Sequence, residues 1–129
     1  MGNRPKILLI DDDVDFVEAT KTVLQTAPYD VVVANQGDEG IEKAKKEKPD
    51  LILLDVVMPV KDGFSAAQQL KKDPELKKIP VLMLTAYSTM GAGTSIPRDR
   101  GYTLETEDYL EKPIAPKELL AKVKQYLKK

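Results

Sequence analysis

Three short runs constrain this chain more than anything else in it. Ile7 to Ile10, Leu51 to Leu54 and Val81 to Leu84 are each wholly apolar, and each is followed at once by a polar residue: Asp11, Asp55 and Thr85. A strand with one face in water alternates apolar and polar side chains, whereas a run with no polar position has to be covered on both faces. Val31 to Ala34 reads as a fourth such strand, and Tyr109 with Leu110 marks a fifth, weaker one.

Between the strands the spacing becomes helical. Phe16, Val17, Thr20, Val23, Leu24 and Ala27 share one face, with Asp13 or Asp15 as the N-cap. Ile41 and Ala44 lie in a second helix from Gly37 to Lys48, stopped by Pro49, and Gly63 to Lys72 turns Phe64, Ala67 and Leu70 inward. A last helix begins near Pro116, a favoured first-turn residue, and buries Leu119, Leu120, Val123 and Leu127. Strand and helix alternate, which predicts an α/β protein: a parallel sheet covered on both faces and joined by right-handed crossovers. Ser88 to Asp108 breaks the rhythm, because Gly91, Gly93, Pro97 and Gly101 interrupt it and no apolar stripe runs through it. The helix due between strands four and five is therefore expected to be missing or deformed.

The chemistry is narrowed by what the chain lacks. With no cysteine and no histidine there is no disulfide, thiolate or imidazole, which removes triad hydrolases and most zinc enzymes. Carboxylates remain, and hard oxygen ligands favour Mg²⁺ or Mn²⁺. Twenty basic against 21 acidic residues give a net charge of −1, so nucleic acid and anionic membrane are not expected partners. The 129 residues suit one domain spanning 1–129. No apolar run approaches about 20 residues and no signal-like segment precedes Ile7, so a cytoplasmic protein without membrane contact is expected.

In an open parallel sheet ligands gather at the carboxyl ends of the strands, and Asp11, Asp12 and Asp55 all stand there. Crowded carboxylates repel and call for a cation; a divalent ion would leave one of them free to attack phosphorus as a nucleophile. Thr85 could donate to a phosphoryl oxygen, and Lys112, fixed by Pro113, could pair with another. Each residue alone has an ordinary explanation: a capping run for Asp11 to Asp13, a turn aspartate for Asp55, a strand threonine, a surface lysine, a half-buried aromatic for Tyr109. Their joint placement at strand ends favours a site.

The segments ILLIDDD (7–13), LILLDVVMPVKDG (51–63), VLMLTA (81–86) and DYLEKP (108–113) resemble the receiver domain of bacterial two-component response regulators, of the chemotaxis-regulator kind. The motifs come in order, with 43 residues from Asp12 to Asp55 and 30 from Asp55 to Thr85, and the likeness covers nearly the whole chain. It implies a doubly wound five-stranded sheet in the order 2-1-3-4-5. It further implies Asp55 as phosphoacceptor, Asp12 as a direct and Asp11 as a water-mediated Mg²⁺ ligand, and the backbone carbonyl of Val57 as another. Thr85 and Lys112 would bind the phosphoryl group, and Tyr109 would swing inward as a switch.

Thr85 and Lys112 are 27 residues apart, about five more than a compact receiver needs. Arg98, Asp99, Arg100 and Tyr102 in that stretch read equally as a partner-binding loop or a solvated insertion. Val57 and Tyr87 are expected to shield an acyl phosphate and slow its loss. The leading expectation is a phosphorylation switch, fed by a histidine kinase or phosphotransfer protein and read by an unknown downstream protein. A small Mg²⁺-dependent aspartyl-phosphate phosphatase and a phosphate-independent interaction module are the alternatives.

Overall fold

The structure is a computed structural model that describes residues 4–55, 63–86, 108–112 and 114–127, with 63–65, 85, 86 and 111 described by backbone alone. Strands β1 (Lys6–Ile10), β2 (Asp30–Ala34), β3 (Leu51–Asp55), β4 (Val81–Ala86) and β5 (Asp108–Lys112) form one parallel sheet in the order β2-β1-β3-β4-β5. Four helices accompany it among the described residues: α1 (Val14–Gln25), α2 (Gly37–Glu47), α3 (Gly63–Lys72) and α4 (Pro116–Leu127). This is the doubly wound sheet and strand order that the sequence led us to expect.

The apolar runs are explained by the two-residue period of a strand, which sends neighbours to opposite faces. Leu8, Ile10, Ile52, Leu54 and Met83 join a layer closed by Ile41 and Ala44 of α2 and Ala67 and Leu70 of α3. Ile7, Leu9, Leu51, Leu53, Leu82 and Leu84 join the opposite layer, closed by Val17 and Leu24 of α1 and Leu119, Val123 and Tyr126 of α4. Ile7 to Ile10 and Leu51 to Leu54 are all fully buried, each such side chain contributing about 1.5–3 kcal/mol. β2 lies at the sheet edge, so Val31 to Val33 are only half-buried.

Local signals set most helix ends. Asp13 caps α1 by accepting the Phe16 N–H at 3.1 Å. The second helix carries Asp38 and Glu39 in its first turn and Lys45 and Lys46 in its last, the order its dipole favours. It stops at Lys48, held left-handed at φ 49° just before Pro49. Gly40 lets α2 approach β1 closely, because a Cβ built there would lie 2.3 Å from Ile10 Cδ1.

Three expectations need correction. Ala27 is not on the inner face of α1: the helix ends at Gln25 and Ala27 is exposed, since a residue before proline is pushed out of the helical region. In α4, Leu120 and Leu127 are half-buried, and the sealed stripe is Leu119, Val123 and Tyr126, at i, i+4 and i+7. β5 starts at Asp108, inside the stretch expected to be irregular. Its carboxylate accepts Lys122 Nζ at 2.6 Å, the Tyr126 hydroxyl at 3.0 Å and the Tyr109 N–H at 2.8 Å, pinning the strand's start to α4. Residues 88–107, with the expected deformity and Arg98, Asp99, Arg100 and Tyr102, lie outside the described residues.

Candidate functional site

Parallel strands all finish at the same edge of the sheet, so the polar residues that follow their apolar runs converge. Ile10 pairs with Leu54, which sets Asp11 beside Asp55; Asp55 pairs with Leu84, and Ala86 with Lys112. One carboxylate oxygen from each of Asp11, Asp12 and Asp55 lies within 4.8 Å of the others. Asp11 is fully buried and Asp55 nearly so, at 6% exposure, while Asp12 is exposed.

Lys112 closes the cluster. Its Nζ stands 2.7 Å from Asp11 Oδ2 and 3.5 Å from Asp55 Oδ1, and its side chain is only 17% exposed. The Phe16 ring, from the first turn of α1, lies with its centroid 4.2 Å from the same Nζ. The other Asp11 oxygen accepts the Asp13 N–H at 2.9 Å, and the Asp11 N–H donates to the Ala34 carbonyl at 3.0 Å. Asp11 is thus fixed by β2 and by the turn into α1.

Among the described residues three carboxylates face one ammonium here, and buried charges persist only when paired or bound to metal. An all-oxygen set of this kind suits a hard divalent cation, so Asp11, Asp12 and Asp55 are the residues that could hold one. Such a cation would compete with Lys112 for Asp11.

Of the residues singled out from sequence, Asp11, Asp12, Asp55 and Lys112 are brought together. Thr85 lies in β4 one residue beyond the partner of Asp55, paired in register with Glu111, and only its backbone is described. Tyr109 is half-buried against the layer closed by α2 and α3, with its hydroxyl oxygen shielded from solvent. Val57, Tyr87, Met58, Pro59, Asp62 and Pro113 lie outside the described residues, as does the side chain of Phe64. Phe16 was missed as part of the site, having been read only as an inward helix position. The signal was available: the first turn of a helix that follows a strand directly sits at the sheet's carboxyl edge, where an aromatic can reach a strand-end cation.

Many known proteins resemble this chain in sequence or in fold. The profile of the response regulator receiver domain matches residues 7–124. The chain is 38% identical over 124 residues to the alkaline phosphatase synthesis transcriptional regulatory protein PhoP of Bacillus subtilis, covering 96% of this chain and 49% of that protein. It therefore spans about half the length of the curated relatives it matches. Among solved structures, the chemotaxis protein CheY4 of Vibrio cholerae superposes with a TM-score of 0.84 at 30% identity, covering 95% of this chain and 98% of that one. The receiver domain of a sensor histidine kinase from Pseudomonas aeruginosa PAO1, which has a magnesium ion coordinated in its active-site cleft, superposes at 0.86 with 25% identity, covering 98% of this chain and 99% of that one. By motif, fold and strand-end acidic cluster together, the chain belongs to the response regulator receiver domain family.

Proposed function

We propose that this receiver is a phosphorylation switch in a two-component phosphorelay, with Asp55 as the phosphoacceptor. The observation that carries the reading is the near-buried Asp55 carboxylate, 3.5 Å from the Lys112 ammonium and grouped with Asp11 and Asp12. A phosphohistidine on a histidine kinase or phosphotransfer protein supplies the phosphoryl group. An Asp55 oxygen forms the new O–P bond while the donor N–P bond breaks, and its electron pair stays on the imidazole nitrogen.

Asp11, Asp12, Asp55 and the Val57 carbonyl would hold Mg²⁺, or Mn²⁺ in its place, which when bound neutralises charge on the phosphoryl oxygens. The chain's own groups do the rest. Lys112 leaves Asp11 and pairs with a phosphoryl oxygen as a point charge, and the Thr85 hydroxyl donates to another. Tyr109 and the surface around β5 and α4 then change population, and a downstream protein reads the change. The domain promotes its own phosphorylation and the later hydrolysis, the latter slowed by Val57 and Tyr87, without turning over a separate substrate. With its near-neutral charge the chain is not proposed to bind nucleic acid or membrane itself, and no helix among the described residues is long and apolar enough to cross one.

The test is incubation with Mg²⁺ and acetyl phosphate, read by intact mass beside Asp55→Asn. One saturating phosphoryl adduct that the variant loses supports the switch. Continuous hydrolysis without an accumulating adduct would point to a phosphatase, and absence of both to an interaction module.

A further inference from the structure

Among the described residues the Lys112 ammonium has two carboxylates and one aromatic face around it: Asp11 Oδ2 at 2.7 Å, Asp55 Oδ1 at 3.5 Å, and the Phe16 ring centroid at 4.2 Å. Both carboxylates change partners during the proposed reaction, Asp11 when a cation arrives and Asp55 when it is phosphorylated. The ring changes in neither event. We propose that Phe16 is a positioning residue, whose ring face holds the Lys112 ammonium over the site when Asp11 releases it. The inference rests on the reading of Asp55 as phosphoacceptor.

An aromatic face suits this task better than a third anion. It attracts an ammonium through its quadrupole but carries no net charge, so it neither competes for a divalent ion nor repels an incoming phosphoryl group. Lysine needs such a guide, because four methylenes let its head wander in a way that arginine's planar fork does not. The ring is itself held from two sides. Its backbone N–H is tied to the Asp13 carboxylate at 3.1 Å, and its side chain packs half-buried against the layer between the sheet and α1. The capping residue that starts α1 therefore also orients the aromatic that steers the lysine.

A residue that merely filled core volume would be replaced well by leucine, and this separates the two roles. Adduct formation would be timed at saturating Mg²⁺ and acetyl phosphate in wild type, Phe16→Leu and Phe16→Tyr, each checked for an unchanged melting temperature. Phe16→Leu should slow phosphorylation about three- to tenfold, while Phe16→Tyr, which keeps the ring face, stays within about twofold of wild type. In a Lys112→Met background the Phe16→Leu change should have no further effect, because the partner it guides is gone. A second readout needs no chemistry: the Lys112 ε-methylene protons should be shifted upfield by the ring in wild type and Phe16→Tyr, and not in Phe16→Leu. Equal rates for Phe16→Leu and wild type would overturn the proposal. So would equal slowing with and without Lys112, or the lack of an upfield shift in wild type. If wild type takes no phosphoryl group at all, the acceptor reading falls, and the ring-current shift still decides whether the clamp exists.

Discussion

Replacing Lys112 by methionine should tighten Mg²⁺ binding while crippling phosphorylation, and the opposite signs are the point. The Lys112 ammonium lies 2.7 Å from Asp11 Oδ2, where it supplies part of the charge that a cation would bring. At an effective dielectric of about 20 that ion pair is worth about 6 kcal/mol of gross Coulomb energy, most of which desolvation offsets, leaving a net of about 1.5–3 kcal/mol. A cation that takes Asp11 has to break this ion pair and tolerate a neighbouring positive charge. Removing the ammonium lifts both penalties, so the dissociation constant for Mg²⁺ should fall by about ten- to a hundredfold, at 1.4 kcal/mol per decade. Methionine keeps most of the side-chain stem, which limits the change to the charge. The phosphoryl transfer step loses a charged donor and should slow by about a hundredfold or more. Calorimetric titration with MgCl₂ at constant ionic strength and neutral pH measures the first effect, and intact mass after acetyl phosphate the second. Without added Mg²⁺ the variant should also melt lower than wild type, because the buried carboxylates of Asp11 and Asp55 lose the Lys112 charge, and added Mg²⁺ should close the gap. If Lys112→Met bound Mg²⁺ no more tightly than wild type, Lys112 would not compete with the cation for Asp11.

Gly40→Ala should destabilise the fold by about 1–3 kcal/mol in urea unfolding, because the new Cβ would meet Ile10 Cδ1 at 2.3 Å; trimming Ile10 to valine alongside it should recover part of the loss. Lys48→Gly should do the opposite and stabilise by up to about 1 kcal/mol, since φ 49° strains a residue with a Cβ and suits glycine after a helix. A melting temperature unchanged or lowered by that substitution would contradict the capping argument. Asp108 gives a pH test. Burial alone would raise its pKa, but hydrogen bonds from Lys122, the Tyr109 N–H and Tyr126, with the Lys122 charge, outweigh it and hold the carboxyl below its ordinary range. Its stabilising contribution is therefore present above the unfolded pKa of about 3.9 and lost as pH falls through the lower folded value. Asp108→Asn should melt below wild type at neutral pH, with the difference shrinking below about pH 4, and a constant difference down to pH 2 would refute it.

The fold was legible because of one requirement with few solutions. Strands such as Ile7 to Ile10 and Leu51 to Leu54, with no polar position, need helices on both faces, and helices on both faces follow from parallel strands joined by crossovers. What the pattern did not convey was helix phase. The apolar residues of α4 allow more than one stripe, and only packing against β1, β3 and β4 selects Leu119, Val123 and Tyr126 over Leu120 and Leu127. Tyr126 also has its hydroxyl on Asp108, a bond between residues 18 apart that no local spacing announces. Ala27 could have been excluded from α1 on local grounds, since Pro28 follows it.

The acidic half of the site was legible for the same reason as the fold. A sheet sealed on both faces has room for charge only where strands end, and parallel direction brings Ile10 and Leu54, hence Asp11 and Asp55, to the same edge in register. The cationic half is different in kind. That Lys112 lies at a strand end could be read from the chain, but which carboxylate it prefers depends on depth. Asp11 is fully buried and Asp12 exposed, although they are sequence neighbours. Lys112 pairs with the two buried carboxylates, where an ammonium offsets the most lost hydration, and it lies closer to Asp11 than to Asp55, the residue it is proposed to serve. In this arrangement the lysine already occupies the face of Asp11 that a cation would take. On the proposed reading, a divalent cation held there would draw Asp11 away from Lys112 and leave that ammonium available to a phosphoryl oxygen on Asp55.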